Sequence, residues 1–231
     1  RITRTAARFP GGGSKKHNLW EIDLSVLARR FVVFTPTDTE ILGLVEKARR
    51  DMGGGADPRG VQRVAAHNPD SFWAIGPRDH FSTRTRIANG YLAFLMLNEE
   101  GMRRLLSGTL DATDPDLSLI VRQNEKPTGI YVWGAYASGF AAGGVSLAFE
   151  KIWSRLYSDV DLFARAVTIE GRQMLDALGF EQGATFGGQF ARNFYQYRRR
   201  RPDAKKNPIY DTYRAGTNDD VASAGAHSIE G

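Results

Sequence analysis

Between Gly129 and Ser146 the chain gathers small residues in one place. Gly-Ile-Tyr-Val-Trp-Gly-Ala-Tyr-Ala, from Gly129 to Ala137, is apolar on both faces, as a strand covered on both sides should be. It runs into Ser138, Gly139, Phe140, Ala141, Ala142, Gly143 and Gly144, and a helical pattern begins at Val145 and Ser146. A strand entering a small-residue turn at a helix N-terminus leaves backbone N–H groups free at the positive end of the helix dipole. That arrangement binds phosphate. Ser138 and Ser146 would add hydroxyl donors, and the small residues around Tyr136, namely Gly134, Ala135 and Ala137, would let a ligand approach the strand backbone closely. Each feature also has a plainer reading: a flexible turn, and side chains that are small because a helix packs on them.

The elements that must position this unit are legible from pattern and punctuation. Val145, Phe149, Ile152, Trp153 and Leu156 predict a helix over Val145–Tyr157, followed by a strand in Asp161–Val167 and a helix from Thr168 to Phe180. Leu178-Gly179-Phe180 predicts a Schellman stop, with Gly179 in the left-handed position. Upstream, Phe31–Phe34 reads as a first strand. Thr37 and Glu40 form a capping box for a helix that buries Ile41, Leu44, Val45 and Ala48 and stops at Gly53-Gly54-Gly55. Asp57-Pro58 starts a second helix carrying Val61, Val64 and Ala65. Ser71–Ile75 and Arg86–Asn98 read as strands, the latter with a bulge at Asn89-Gly90. Residues 18–30 fit a strand or a short helix equally. A short helix (Glu99–Leu106), a loop (Asp111–Asp116) and a strand or helix (Leu117–Arg122) come before the central run, and Gly183–Phe190 reads as a final edge strand.

The element order, the Gly-Arg-Gln-Met-Leu-Asp-Ala-Leu-Gly-Phe run from Gly171 to Phe180 and the strand–loop–helix unit resemble the GNAT acyltransferase superfamily. The resemblance implies an α/β fold (α+β in some schemes): a mixed, mostly antiparallel sheet of six or seven strands with helices on both faces. It implies an acyl-CoA-dependent N-acyltransferase, moving an acetyl or other acyl group directly from coenzyme A to an amine acceptor. In that family the fourth strand and the loop after it bind acyl-CoA, which corresponds here to Gly134 through Ser146. The family's loop usually reads Gln/Arg-x-x-Gly-x-Gly/Ala. The best register here, Phe140-Ala-Ala-Gly143-Gly144-Val145, lacks the first polar residue and the last small one. Many family members place a Tyr in the helix after the fifth strand and a Glu on or near the fourth. Thr168–Leu178 contains no Tyr and Ile130–Ala137 no carboxylate, so the acid–base candidates are Glu125, Tyr136 and Tyr157. Two rivals stand beside this reading: a GNAT-like binding or regulatory module without catalysis, and a GNAT-like enzyme acting on nucleic acid.

At 231 residues the chain suits one domain, expected over 19–201, with a basic Gly-rich arm at 1–18, an insertion at 99–127 and a polar tail at 202–231. The insertion would lie beside the acceptor groove, as a specificity element or as loop filler. A net charge of +5 favours anionic partners, which include both coenzyme A and nucleic acid. Arg198, Arg199, Arg200 and Arg201, with Phe194, Tyr195 and Tyr197 just before them, would suit phosphates and unpaired bases; a solvated helix with its tyrosines on the sheet is the alternative. There are no cysteines, hence no disulfides or thiolate chemistry, and no apolar run reaches about 18 residues, the length of a membrane span. The histidines show no metal spacing, no Ser-His-Asp pattern is present, and a cytoplasmic protein is expected.

Overall fold

The computed structural model describes residues 24–82, 86–137, 144–153 and 156–199. The expected arm and tail therefore lie outside the described residues, as do Ser138–Gly143. The chain runs α1 (Leu24–Arg30), β1 (Phe31–Phe34), α2 (Asp38–Met52), α3 (Pro58–His67), β2 (Phe72–Pro77), β3 (Gly90–Leu97) and α4 (Glu99–Ser107). It continues with β4 (Gly129–Ala137), α5 (Val145–Glu150), β5 (Leu162–Ala164), α6 (Ile169–Ala177), β6 (Glu181–Phe186) and β7 (Gln189–Tyr197). The strands form one seven-stranded sheet in the order β1-β2-β3-β4-β5-β7-β6. Among the described residues only β4 and β5 pair in parallel, so the fold is the mixed, mostly antiparallel one expected.

Period-two alternation sends successive strand residues to opposite faces. Tyr91 and Ala93 of β3, with Phe34, Ala74 and Tyr136, join a core made with Ile41, Leu44, Val45 and Ala48 of α2 and Val61 and Ala65 of α3. Leu92 and Phe94 point the other way, into the larger core with Phe31, Ile75, Met102 and Leu105 of α4, Leu147 and Phe149 of α5, and Leu175 and Leu178.

Local punctuation behaves as its chemistry requires. The Thr37 hydroxyl accepts from Glu40 N while Glu40 accepts from Thr37 N, and Gly53 closes α2 at φ 75°. Asp57 accepts from Gly60 N, with Pro58 opening α3. At the end of α6, Phe180 N donates to Leu175 O (2.9 Å) and Gly179 N to Asp176 O (3.1 Å), with Gly179 at φ 78°. That is the full Schellman pattern.

Other boundaries differ from expectation. Residues 24–30 are helical. β3 begins at Gly90, and its irregularity lies at Ala93/Phe94 instead of Asn89-Gly90. Gly90 is small for another reason: a Cβ there would meet the Tyr136 carbonyl at 2.6 Å. The helix expected to reach Tyr157 stops at Glu150 and tightens into a 3₁₀ turn, Lys151–Trp153. There the Ile152 carbonyl accepts from the Arg199 guanidinium (2.8 Å), so a helical N–H does not hold it alone. β5 is three residues long, and Val167 beyond it is 84% exposed. No helix among the described residues is long and apolar enough to cross a membrane.

Candidate functional site

One extra residue on β4 interrupts its pairing with β3. Ala93 pairs with Gly134 but Phe94 pairs with Val132, leaving Trp133 as a bulge. A bulge bends its strand and increases the local twist. β4 stays on β3 as far as Ala137, opposite Gly90. On its other side it pairs with β5 only at Ile130, Tyr131 and Val132, opposite Leu162, Phe163 and Ala164. The two parallel strands are joined at their N-terminal ends and part at the bulge. From Trp133 to Ala137, about 13 Å of extended backbone, that edge of β4 has no strand partner among the described residues. Peptide groups on such an edge can pair with an extended ligand.

The small residues on this edge separate into two kinds. A Cβ built on Gly134 would find nothing nearer than 3.5 Å, the Tyr91 ring, which is ordinary contact. Packing therefore does not demand a glycine there. A Cβ on Gly144 would meet Ile75 Cγ2 at 2.3 Å. Gly144 is small because α5 seats on β1 and β2 at that point. It is also the N-cap of α5 and offers no side-chain oxygen, so the N–H groups of the first turn lack a side-chain cap. Val145 and Ser146 occupy that turn, half-buried. Ala135 and Ala137 lie half-buried on the edge itself. Ser138, Gly139, Phe140, Ala141, Ala142 and Gly143 fall outside the described residues.

The three acid–base candidates are not brought together. Tyr136 lies on the edge, buried on the α2 side, and its hydroxyl donates to Asp51 in the last turn of α2. Tyr157 is 2% exposed and donates to the Asp70 carboxylate at 2.7 Å. Burial, then the hydrogen bond to Asp70 and its charge, push the Tyr157 phenol well above its ordinary value. This hydroxyl braces the chain after α5 against the turn that enters β2, and lies in the core instead of on the edge. Glu125 accepts from Arg122 N (2.8 Å), so it closes its own turn. It borders a hollow of about 560 Å³ with His67, Asn98 and Ser118, beyond the N-terminal end of β4. Gly129 to Trp133 alone spans about 13 Å of strand.

Sequence reasoning passed over three residues at the parting. Trp133 is the bulge itself, and its indole N–H donates to Ala112 O (2.7 Å) in the segment between α4 and β4. That segment is tied to α3 by Asp57 N to Thr113 O (3.2 Å) and by the Arg63–Asp114 ion pair. Part of the expected insertion thus reaches the bulge. Tyr91 lies opposite Tyr136 on β3. Asp51 had a legible signal: a carboxylate at the negative end of a helix dipole is unfavourable and calls for a partner elsewhere.

The basic tract resolves differently from the nucleic-acid expectation. Phe194 and Tyr195 are buried in the sheet core, and Arg199 is 7% exposed. Arg199 Nη1 donates to Ile152 O and to Tyr157 O, and the guanidinium lies 4.0 Å above the Trp153 ring. Arg199 is therefore a clamp inside the fold and is withdrawn as a phosphate contact; Arg198 is exposed, and Arg200 and Arg201 fall outside the described residues.

A mixed, mostly antiparallel sheet of seven strands among the described residues, with helices on both faces, is the fold that the resemblance implied. The fold is GNAT-like. No family model and no curated protein matches the chain. Among solved structures it is similar to a GNAT-family acetyltransferase from Listeria monocytogenes (13% identity, 73% of this chain and 94% of that one, TM-score 0.45). It is similar as well to the aminoglycoside acetyltransferase AAC(6')-Ib in complex with coenzyme A (12%, 73% and 95%, TM-score 0.40) and to AtaTR bound with AcCoA (15%, 74% and 94%, TM-score 0.39). The likeness is one of overall fold.

Proposed function

We propose that the chain is an acyl-CoA-dependent N-acyltransferase that passes an acyl group, acetyl above all, directly to an amine. The observation that supports this most is the parting of β4 from β5 at Trp133 beside a glycine, Gly134, that packing does not require. An extended pantetheine arm suits an edge of this length, since its amides can pair with the peptide groups of residues 133–137. Phosphates would meet the first-turn N–H groups of α5 at Gly144, Val145 and Ser146, next to Ser138–Gly143. Bound there, acyl-CoA supplies an activated thioester.

The residues around it would do three things. The edge orients the thioester by backbone pairing. The Trp133–Ala112 bond and the α3 N-terminus hold the bulge in shape. The Asp51 carboxylate, exposed at the end of α2 and bonded to Tyr136, would take up a proton from an incoming ammonium group through the tyrosine or through water. Tyr136 is thus kept as a candidate at the site, while Tyr157 and Glu125 are engaged elsewhere. Those two engagements also favour a second reading, an acyl-CoA-binding module without turnover.

Isothermal titration with acetyl-CoA, followed by acetylation assays on a panel of primary amines, separates the readings. Binding with turnover supports the enzyme and binding without turnover the module. No binding removes both.

A further inference from the structure

Two buried tyrosines give their hydroxyls to carboxylates: Tyr136, on the open edge of β4, to Asp51, and Tyr157, in the core, to Asp70. Tyr91 does not. It is 7% exposed, its ring stacks on Phe72 (4.8 Å, 24°) and sits 6.0 Å from the Tyr136 ring. Its hydroxyl has no hydrogen-bond partner among the described residues, yet it is not one of the side-chain oxygens sealed from solvent, so it is free to donate to a ligand. The hydroxyl lies 3.8 Å from the point where a Cβ on Gly134 would be. That point is empty only because residue 134 is glycine, and it adjoins the bulge at which β4 and β5 part.

Resting on the acyl-CoA reading above, we propose that the Tyr91 hydroxyl is the side-chain donor that the acyl thioester meets at Gly134, hydrogen-bonding its carbonyl oxygen and orienting it for the amine. The pairing of features supports this. An unpartnered donor and a dispensable glycine face each other where β4, among the described residues, has no strand on its β5 side. Burial, and secondarily the Tyr136 phenol beside it, push the Tyr91 phenol up to about 12. The group therefore stays an O–H donor throughout the neutral range, and a donor aimed at the carbonyl would also favour charge developing on that oxygen.

Tyr91→Phe keeps the ring and its stack on Phe72 and deletes only the hydroxyl, so the variant should melt no lower than the wild type. Calorimetric affinities for acetyl-CoA and for CoA are then compared in both proteins. The expected result is an acetyl-CoA affinity about three- to tenfold weaker in the variant, the range of a single hydrogen bond, with CoA affinity changed less than about twofold. Equal changes for the two ligands, or none for either, would overturn the assignment while leaving the acyl-CoA reading standing. A wild type that binds neither ligand overturns that reading and this inference together. An independent check is the infrared carbonyl band of ¹³C-labelled acetyl-CoA, which should move to lower frequency on binding wild type and move less on binding Tyr91→Phe. A band at its free-solution position in the wild type would rule the donor out.

Discussion

Replacing Arg199 tests whether the basic tract belongs to the surface or to the core. Arg199→Gln removes the Nη1 bonds to the carbonyls of Ile152 (2.8 Å) and Tyr157 (2.5 Å) and the stack over Trp153. Hydrogen bonds from a charged donor contribute about 1.5–3 kcal/mol each, and a desolvated cation–π contact about 2 kcal/mol. Release of a buried guanidinium to water offsets part of that sum, and about 3 kcal/mol is the expected net loss. Urea unfolding should show it as a lower midpoint at unchanged slope. In a domain of this size each kcal/mol moves the melting temperature by about 2–4 °C, so the midpoint should fall by about 6–12 °C. Arg198 next to it is exposed, and Arg198→Gln should stay within about 0.5 kcal/mol of wild type. If Arg199→Gln proves as stable as Arg198→Gln while losing salt-dependent binding to single-stranded RNA, the clamp is wrong and the phosphate-contact reading returns.

Two further outcomes follow from the site. Gly144→Ala drives a Cβ into Ile75 and should cost about 1–3 kcal/mol, the range for overpacking; Gly134→Ala makes only ordinary contact and should leave unfolding unchanged while weakening acetyl-CoA binding. Equal stability losses in thermal melts would remove the distinction between the two glycines. The Tyr91 phenol, raised by burial to about 12 from 10.0, gives a sign to alkaline behaviour. Below pH 10 both folded and unfolded forms keep the proton and it adds no pH dependence; between pH 10 and 12 only the unfolded form ionises, so stability falls by about 1.4 kcal/mol per pH unit. Tyr91→Phe should show a shallower loss over that window in urea midpoints, and an unchanged slope would contradict it.

What the sequence disclosed and what it hid divide along the range of the interactions. The capping box at Thr37–Glu40, the Asp57-Pro58 start and the Leu178-Gly179-Phe180 stop are set by a few consecutive residues, and each formed as its residues dictate. Alternation and turn residues mark six of the seven strands; Gly183–Phe190, which reads as one edge strand, instead turns at Gly187-Gly188 between β6 and β7, and the basic residues after Tyr197 mask the strand character of Gln189–Tyr197. The bulge at Trp133 stayed hidden, because it depends on the register between β3 and β4, and no local residue marks it. Tyr136 finds Asp51 across 85 positions, Tyr157 finds Asp70 across 87, and Arg199 reaches Ile152 across 47. Composition reads such residues as free acids, bases or phosphate ligands; the fold gives them partners. Gly134 and Gly144 looked alike in the sequence and differ only in what stands over them.

The central claim is that acyl-CoA lies along residues 133–137, and amide hydrogen exchange of the full chain with and without acetyl-CoA addresses it most directly. Pairing of the ligand with the unpartnered edge should slow exchange in peptides covering Trp133–Ala137 and the first turn of α5. Peptides covering α4 and the edge strand β6 should be unaffected. Protection confined to those control peptides, or saturable binding with no change at Trp133–Ala137, would place the ligand elsewhere and contradict the account.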